Sequence, residues 1–579
     1  MELASPRHIA EYTARGWWGE LTLWDVFERQ RVRHPDREAV ADAPNRADFA
    51  PGAPRRLTWR ALGDEVQRLC RLLLDQGLGR DDILVMHLPN VVEQFVVYLA
   101  CARLGIIVTP VPVQYREHEL AHILQITQAC AVVTLGHIGQ AQSGHAAAAM
   151  YLALGRSHPH LRHVLAWGGS LPEGVTDVGA ATRQALTTPQ HHRVDLAARA
   201  AHVSANDVFT ICWTSGTEAA PKGVPRSHNE WLIVPPSIIE AGQLQPGARL
   251  LNPFPLVNMS GISAAFATWL VLGATVIQHH PFSLPVFLRQ LREEGIDYTV
   301  AAPAILNRLM QEDHLLEGID FGRLRRIGSG SAPLSDWMVQ GFADRHGVQI
   351  VNYFGSNEGA ALTSSDIDMP DPALRARYFP RIGVQGYSWR ISTTRKIRTR
   401  LVDLATEQDI VLPGVAGELR FAGPTVFSGY FRAPDMTARA FDDQGYYRTG
   451  DLFELAGEQL QYYRYVGRSK DLVIRGGMNI SSEEIEGLLA ACPGIQEVAV
   501  VGVPDAVLGE KLCACVVAAA GKAPTLIDLT TFLRDTQRVA AYKLPEYLLP
   551  IDSLPRNPVG KILKRTLREQ ARAVLGIQA

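Results

Sequence analysis

Lysine is scarce in this sequence, with eight residues against 49 arginines in 579. The bias points to an arginine-favouring, GC-rich genome more than to chemistry, and it makes each remaining lysine more informative. Excess charge of either sign is also missing. A formal net charge of -2 offers no basic surface for nucleic acid or for an anionic membrane. Long apolar runs are absent as well. The longest, residues 262–277, contains Ser263, Thr268, Gly273 and Thr275 and is 16 residues long, too short to span a bilayer; it reads as a buried helix running into a buried strand. Charges at Glu2, Arg7, Glu11, Arg15 and Glu20 leave no apolar core for a signal peptide. The seven cysteines are scattered, with only Cys513 and Cys515 close together, which excludes a disulfide framework and a zinc site. The adjacent pairs His191-His192 and His279-His280 are badly spaced for a shared metal and read as structural. These absences lead to the expectation of a cytoplasmic protein with no nucleic-acid or membrane partner.

What is present is an ordinary globular composition, 47% apolar and 20% charged, in a chain long enough for several compact units. One stretch stands out. The apolar run 208–213 is β-branched, aromatic or small and reads as a buried strand. It stops abruptly in Thr214-Ser215-Gly216-Thr217-Glu218-Ala219-Ala220-Pro221-Lys222-Gly223-Val224. Ser227 to Glu230 then has the Ser-x-x-Glu form of a helix capping box, which makes the unit strand, loop, helix. Gly216 and Gly223 let the backbone approach a ligand closely, the hydroxyls of Thr214, Ser215 and Thr217 suit oxyanions, and Lys222 adds a positive charge. The loop reads as a phosphate cradle. Val224 follows Gly223, so it is not the Gly-x4-Gly-Lys-Ser/Thr loop of other nucleotide hydrolases.

Helical and strand patterns alternate through residues 1–200, with helices over 23–33, 59–76 and 91–104, the last ending at Gly105, and strands over 83–88 and 106–111. The alternation repeats over 201–400 and implies parallel, doubly wound sheets. Several strand ends there open into Gly, Ser and Asn loops, where open α/β sheets bind ligands. Short strands and turns over 401–469 predict a small β subdomain, and residues 470–579 a separate α+β domain. The fold class expected is therefore α/β, a large N-terminal domain over 1–469 followed by a mobile α+β C-terminal domain.

The phosphate loop resembles the Thr-Ser-Gly-Thr-Thr-Gly-x-Pro-Lys-Gly signature of the adenylate-forming superfamily, which comprises acyl-CoA synthetases, adenylation domains and beetle luciferases. The resemblance extends over nearly the whole chain through Gly330-Ser331-Ala332-Pro333-Leu334, Asn352-Tyr353-Phe354-Gly355-Ser356-Asn357-Glu358, Gly417 to Gly429, Tyr447-Arg448-Thr449-Gly450-Asp451, Gly467-Arg468-Ser469-Lys470-Asp471, Gly476-Gly477 and Leu554-Pro555-Arg556-Asn557-Pro558-Val559-Gly560-Lys561. It departs from the signature at Glu218, where threonine or serine is usual, and at Ala219, where glycine is usual.

The resemblance implies ATP, magnesium and coenzyme A as cofactors and a carboxylic acid as substrate, with a homodimer one assembly consistent with it. It implies that Asp451, beside Arg468, accepts hydrogen bonds from the ribose hydroxyls, that Glu358 is a magnesium ligand, and that Phe354 and Gly355 flank adenine with Ser331, Ala332 and Pro333 on the other side. Asn357 stands where threonine is usual and keeps a donor for an α-phosphate oxygen. Lys561 is expected to neutralise charge that builds up during adenylation, together with Thr214 and Lys222. Lys470 marks a hinge, and after its swing Gly476 and Gly477 would line a thiol tunnel. Asn258 takes the gate position between acyl pocket and tunnel, with Met259 and Gly330 beside the acid. Asp552-Ser553-Leu554 mimics a carrier-protein attachment motif but lies in the lead-in to Lys561 and is rejected.

The reading is an acid:CoA ligase that forms an acyl adenylate and passes it to the CoA thiol; with no carrier domain fused here, a free thiol acceptor is expected. Loading of a separate carrier protein is the nearest alternative. Another is an enzyme that mainly converts a preformed adenylate, because Glu218 and Ala219 alter the loop that must hold pyrophosphate. The apolar supply Trp231, Val234, Met259, Ile262 and Phe266, with few bases beyond Arg226 and Arg249, favours a hydrophobic, aromatic or alicyclic acid.

Overall fold

The computed structural model describes residues 1–139, 144–214, 221–475, 478–505, 507–519, 523–557 and 560–577. Four sheets organise them. The first has strands in the order Val175–Asp177, His163–Trp167, Ala131–Leu135, Ile83–His87, Ile107–Pro110, Val208–Trp213 and Gly223–Ser227. Neighbours are parallel except the last pair, which is antiparallel. The second runs Ala361–Ser364, Gln349–Gly355, Arg326–Gly330, Tyr298–Val300, Arg249–Asn252, Thr275–Gln278, Glu38–Ala41 and Arg56–Thr58. Its interior pairs are parallel and both outer pairs antiparallel. These α/β sheets are the doubly wound architecture that the helix-strand alternation predicts.

Two sequence expectations need correction. The boundary at residue 200 does not divide the sheets: Val208–Trp213 joins the first through Val108 opposite Thr210, and Glu38–Ala41 joins the second through Val40 opposite Val276. The phosphate loop also does not run from strand directly to helix. Gly223–Ser227 is an edge strand in an antiparallel hairpin with Val208–Trp213, disguised by Pro225 and Arg226. Proline is tolerated there because an edge strand has one row of backbone groups without ladder partners. The helix His228–Leu232 follows, and its capping box is present: the Glu230 N–H donates to Ser227 Oγ and the Ser227 N–H donates to the Glu230 carboxylate.

Helix Val92–Leu104 is buried at every position, Glu93, Gln94 and Arg103 included, and ends on Gly105 at φ 71°, a left-handed cap that costs glycine little. The apolar run after residue 261 forms Ile262–Ala267 and Thr268–Leu272 before entering strand Thr275–Gln278. Trp269 stacks on Trp59 at 4.5 Å and meets Phe95 edge-on at 5.0 Å, so one continuous core joins helices of both sheets.

The third sheet is antiparallel, in the order Tyr378–Pro380, Tyr462–Arg468, Tyr447–Ala456, Gly417–Ala422 and Arg398–Val402; its first strand precedes the expected boundary at 401. The fourth contains Met478–Ser481, Leu472–Arg475, Gly509–Ala518, Ile495–Asp505 and, parallel to Gly509–Ala518, Tyr547–Pro550. It buries apolar clusters that include Ile485 and Leu489 of Ser482–Leu489 in one, and Leu567 and Ala571 of Lys564–Leu575 in another.

A buried ion cluster ties the first two sheets together. Arg46 reaches Asp42, just beyond strand Glu38–Ala41, at 2.6 Å and Glu93, on helix Val92–Leu104, at 2.7 Å. All three side chains are almost fully buried, and Asp42 also accepts the Val92 N–H at 2.9 Å. Removing one member of such a cluster leaves uncompensated charge in the interior, which costs about 3 to 5 kcal/mol. Arg46→Met should therefore lower the unfolding free energy by about that amount in a denaturant titration. A loss under about 1 kcal/mol, the size of an exposed pair, would show that Arg55, whose Nη1 lies 3.3 Å from Glu93 Oε1, or water already balances the carboxylates.

Candidate active site

The loops after three strands, Val208–Trp213, Arg326–Gly330 and Gln349–Gly355, hold the candidate residues, and Asn357 joins two of them. Its Oδ1 accepts the Met259 N–H at 2.8 Å, its Nδ2 donates to the Trp213 carbonyl at 3.2 Å, and its own carbonyl accepts Arg226 Nη1 at 3.1 Å. The amide commits its oxygen and one of its two Nδ2 hydrogens to the protein, which leaves one hydrogen for the expected α-phosphate contact. Asn357 bridges the strand before the phosphate loop, the Asn258-Met259 turn and the Glu358 turn.

Arg226 lies beneath that junction, with no exposed surface. It donates to the carbonyls of Asn357, Glu230 and Thr425 at 3.1, 3.0 and 2.9 Å and rests on the Trp231 ring at 5.2 Å. Burial lowers its pKa, opposed by the charges of Glu230 and Glu358. The turn has no slack. Gly359, at φ 96°, would place a Cβ 1.8 Å from the Thr425 carbonyl oxygen. Glu358 itself is buried, accepts the Tyr430 hydroxyl at 3.0 Å through Oε1, and receives the Phe427 N–H on its carbonyl at 2.9 Å. Lys222 Nζ lies 5.0 Å from the centre of the same Tyr430 ring. Thr214 and Lys222 close the neck of the phosphate loop, with the Thr214 N–H donating to the Lys222 carbonyl at 3.0 Å and the Lys222 N–H donating to Thr214 Oγ1 at 3.3 Å. Ser215, Gly216, Thr217, Glu218 and Ala219 lie outside the described residues, as do Gly476 and Gly477.

A second group forms where the third sheet meets the C-terminal segment. Asp451 and Arg468 face each other across antiparallel strands, and the carboxylate accepts Arg468 Nε at 2.9 Å and Nη2 at 3.4 Å. Burial raises the Asp451 pKa, opposed first by Arg468 and then by Lys561. Lys561 is pushed down to about 8 by burial and by the Arg468 charge, with Asp451 and Asp471 opposing. The lysine near the C-terminus is thus electrostatically coupled to the Asp451–Arg468 pair. It sits on a tight turn in which the Lys561 N–H donates to Asn557 Oδ1 and the Asn557 N–H to the Lys561 carbonyl, both at 2.8 Å. The Lys470 carbonyl accepts Arg568 Nη2 at 3.0 Å, and the Asp471 carbonyl accepts Ser482 Oγ at 3.0 Å.

The remaining candidates are placed as follows. Phe354 is half-buried and meets Phe453 edge-on at 5.1 Å, packing on the core of the third sheet. Gly355 is exposed, as are Ser331, Ala332 and Pro333, and Ser331 holds φ 69°, a conformation glycine adopts more cheaply. A Cβ on Gly330 would fall 2.3 Å from the Tyr353 carbonyl oxygen, so the close approach of these strands requires glycine. Asn258 caps the turn Met259–Gly261 by accepting the Gly261 N–H at 3.2 Å. His279 contacts Gln290 Oε1 at 2.7 Å and accepts the Ser283 N–H at 3.0 Å, as a structural histidine. Among the described residues no group of three or more His, Cys, Asp and Glu could hold a metal ion, and no helix is long and apolar enough to cross a membrane. A lone carboxylate such as Glu358 still suits magnesium, which binds through one or two carboxylates together with substrate phosphates.

In the sequence Tyr430 carries no assigned role and Arg226 is only a spare base. Tyr430 lies just beyond the motif end at Gly429, and a charged residue on a buried edge strand gives no periodic signal.

Comparison with known proteins agrees with this architecture. The AMP-binding enzyme family model matches residues 27–431, and the model of its C-terminal domain matches residues 484–561. The chain is 31% identical over 571 residues to 2-hydroxy-7-methoxy-5-methyl-1-naphthoate–CoA ligase of Streptomyces carzinostaticus, covering 97% of this chain and 95% of that protein. It is 30% identical over 569 residues to triostin synthetase I of Streptomyces triostinicus, covering 98% of each. The solved structure of ATP-bound MatB from Rhodopseudomonas palustris shares the fold, with a TM-score of 0.76 at 24% identity over 96% of this chain and all of that one. With both parts of the family matched in order along one chain, the protein belongs to the AMP-binding enzymes, the adenylate-forming superfamily whose signature its phosphate loop resembles.

Proposed function

We propose that the protein is an acid:CoA ligase: a carboxylate attacks the α-phosphorus of ATP, pyrophosphate leaves, and the CoA thiol then displaces AMP from the acyl adenylate. The observation that carries this reading is Lys561, brought from the C-terminal segment to the Asp451–Arg468 pair with its pKa lowered to about 8. A carrier of positive charge is wanted there only while carboxylate and α-phosphate come together, so a lysine on a segment able to move fits the first step. Asp451, held by Arg468, would take the ribose hydroxyls. Thr214 and Lys222, with Ser215, Gly216 and Thr217, would hold the phosphates. Phe354 and Gly355 would flank adenine opposite Ser331, Ala332 and Pro333. Glu358 would hold magnesium, which when bound supplies charge neutralisation at the phosphates. Lys470 would be the hinge between domains 1–469 and 470–579, and the Gly476-Gly477 loop would line the thiol path after rotation.

For the acid, a hydrophobic, aromatic or alicyclic carboxylate is the class supported. The basic residues that could have met a second carboxylate are engaged elsewhere. Arg226 is bound to backbone carbonyls, and Arg249 pairs with Glu38 and Glu294, both at 2.8 Å. The naphthoate specificity named for the Streptomyces carzinostaticus relative agrees with an aromatic acid. Mass-spectrometric screening of such acids with ATP and CoA tests the proposal; acyl-CoA from none of them, with acylation of a phosphopantetheinylated carrier instead, would replace it. Glu218 and Ala219 favour a second reading, slow adenylation with intact thioester formation, which Glu218→Thr with Ala219→Gly would reverse by speeding pyrophosphate release alone.

Asp451→Ala should weaken binding of both ATP and a non-hydrolysable acyl-adenylate analogue, by about 1.5 to 3 kcal/mol for a charge-assisted hydrogen-bond pair, read by calorimetry. Unchanged affinity for the analogue would remove Asp451 from the ribose.

A pH profile separates the two steps. Lys561 carries its charge below about 8 and loses it as pH rises through that value, so pyrophosphate release should fall over the same range while thioester formation from synthetic adenylate does not. Lys561→Ala should lower the first rate and remove its alkaline limb. An alkaline limb that survives the substitution would assign the titration to another group.

A further inference from the structure

We propose that Tyr430 is a positioning residue that sets Glu358 and Lys222 in register, its hydroxyl holding the carboxylate and its ring face holding the ammonium. This rests on the roles proposed above for those two residues. Glu358 and Lys222 come from different sheets: the first follows strand Gln349–Gly355, the second ends the loop after Val208–Trp213. Tyr430 touches both, donating to Glu358 Oε1 at 3.0 Å and presenting its ring 5.0 Å from Lys222 Nζ, within the range of a cation–π contact.

The tyrosine is itself fixed from several directions. Its N–H donates to Thr437 Oγ1 at 2.9 Å, and that hydroxyl donates to the Ala433 carbonyl at 3.0 Å. Its ring meets Phe427 edge-on at 4.9 Å. The next N–H, that of Phe431, donates to the Gly223 carbonyl at 2.9 Å, beside Lys222. Gly429, at φ 144°, would put a Cβ 2.5 Å from Thr437 Cγ2, so the chain approaches helix Pro434–Ala440 as closely as glycine permits. A rigid phenol therefore sets the separation of two opposite charges. Left to themselves in a partly desolvated cleft, an ammonium and a carboxylate attract strongly enough to form a direct pair, and each would then neutralise the other instead of a bound ligand. On the ring face and at the hydroxyl they stay apart.

The test uses the full chain and reads binding as well as turnover. Mn²⁺ is titrated by electron paramagnetic resonance in the presence of α,β-methylene-ATP, and the nucleotide is titrated separately without metal. Tyr430→Phe keeps the ring but loses the hydroxyl, and should weaken Mn²⁺ binding about tenfold while leaving metal-free nucleotide affinity unchanged. Tyr430→Leu should weaken both. In a Glu358→Gln background, Tyr430→Phe should cause no further loss of Mn²⁺. Mn²⁺ bound by Tyr430→Phe as tightly as by the parent, or an equal loss in the Glu358→Gln background, overturns the proposal. The phenylalanine arm decides even where the leucine variant fails to fold. Failure of the ligase reading would appear separately, as a parent that releases no pyrophosphate with any acid yet shows the same binding differences.

Discussion

The geometry of the site depends on one buried cation. Arg226 has no exposed surface and donates to backbone carbonyls at residues 230, 357 and 425, segments that belong to three different parts of the chain. Removing a guanidinium from water is expensive, and it does not shed its proton to escape the cost. The site must therefore supply partners, and it does so at both terminal nitrogens with the three carbonyls, and with the Trp231 face and the charges of Glu230 and Glu358, while Nε is buried without a hydrogen-bond partner. Because Arg226 sits on the edge strand of the first sheet and its partners come from the helix that follows it, the turn beyond the second sheet and the loop of the third, meeting the needs of one side chain draws all three sheets to a common point. Gly359, which no larger residue could replace, marks how close the approach is.

Held in this way, the Glu358 turn has little freedom, and Asn357 extends the constraint to Trp213 and Met259. The part contributed by the C-terminal segment is built differently. Lys561 lies on a turn held by Asn557, and the neighbouring connections include the half-exposed pair Arg556–Glu497 and Arg568 on the Lys470 carbonyl. Exposed ion pairs contribute little each. A rigid cleft and a more weakly tethered lysine are what the two-step reaction proposed above, with Lys561 used only in its first step, would require.

Much of the architecture was readable without coordinates. The helix over 92–104 and its glycine cap, the capping box at Ser227, and the apolar run entering Thr275–Gln278 follow from local rules, because caps and periodicity depend on residues a few positions apart. The motifs carrying Asp451, Glu358 and Lys561 were equally visible. Edge strand Gly223–Ser227 was not, since a proline and a charged residue look like a loop until the neighbouring strand and the buried carbonyls are known. The exchange of strands between the first two sheets is likewise a matter of which edges pair across long separations.

The sequence by itself determined the kinds of element, their order, and the chemical groups available at each strand end, because these are written in spacing and residue type. Only the tertiary structure decided how the groups are used. Asn357 is an amide in a motif until its oxygen meets Met259 and its nitrogen Trp213; Arg226 is a spare base until it is enclosed; Tyr430 is a tyrosine just past a motif until Glu358 and Lys222 come to either part of it. The physical reason is that hydrogen bonding and charge compensation are conditions on space. A buried polar group takes whichever partner the packing brings within about 3 Å, and that partner can lie hundreds of residues away.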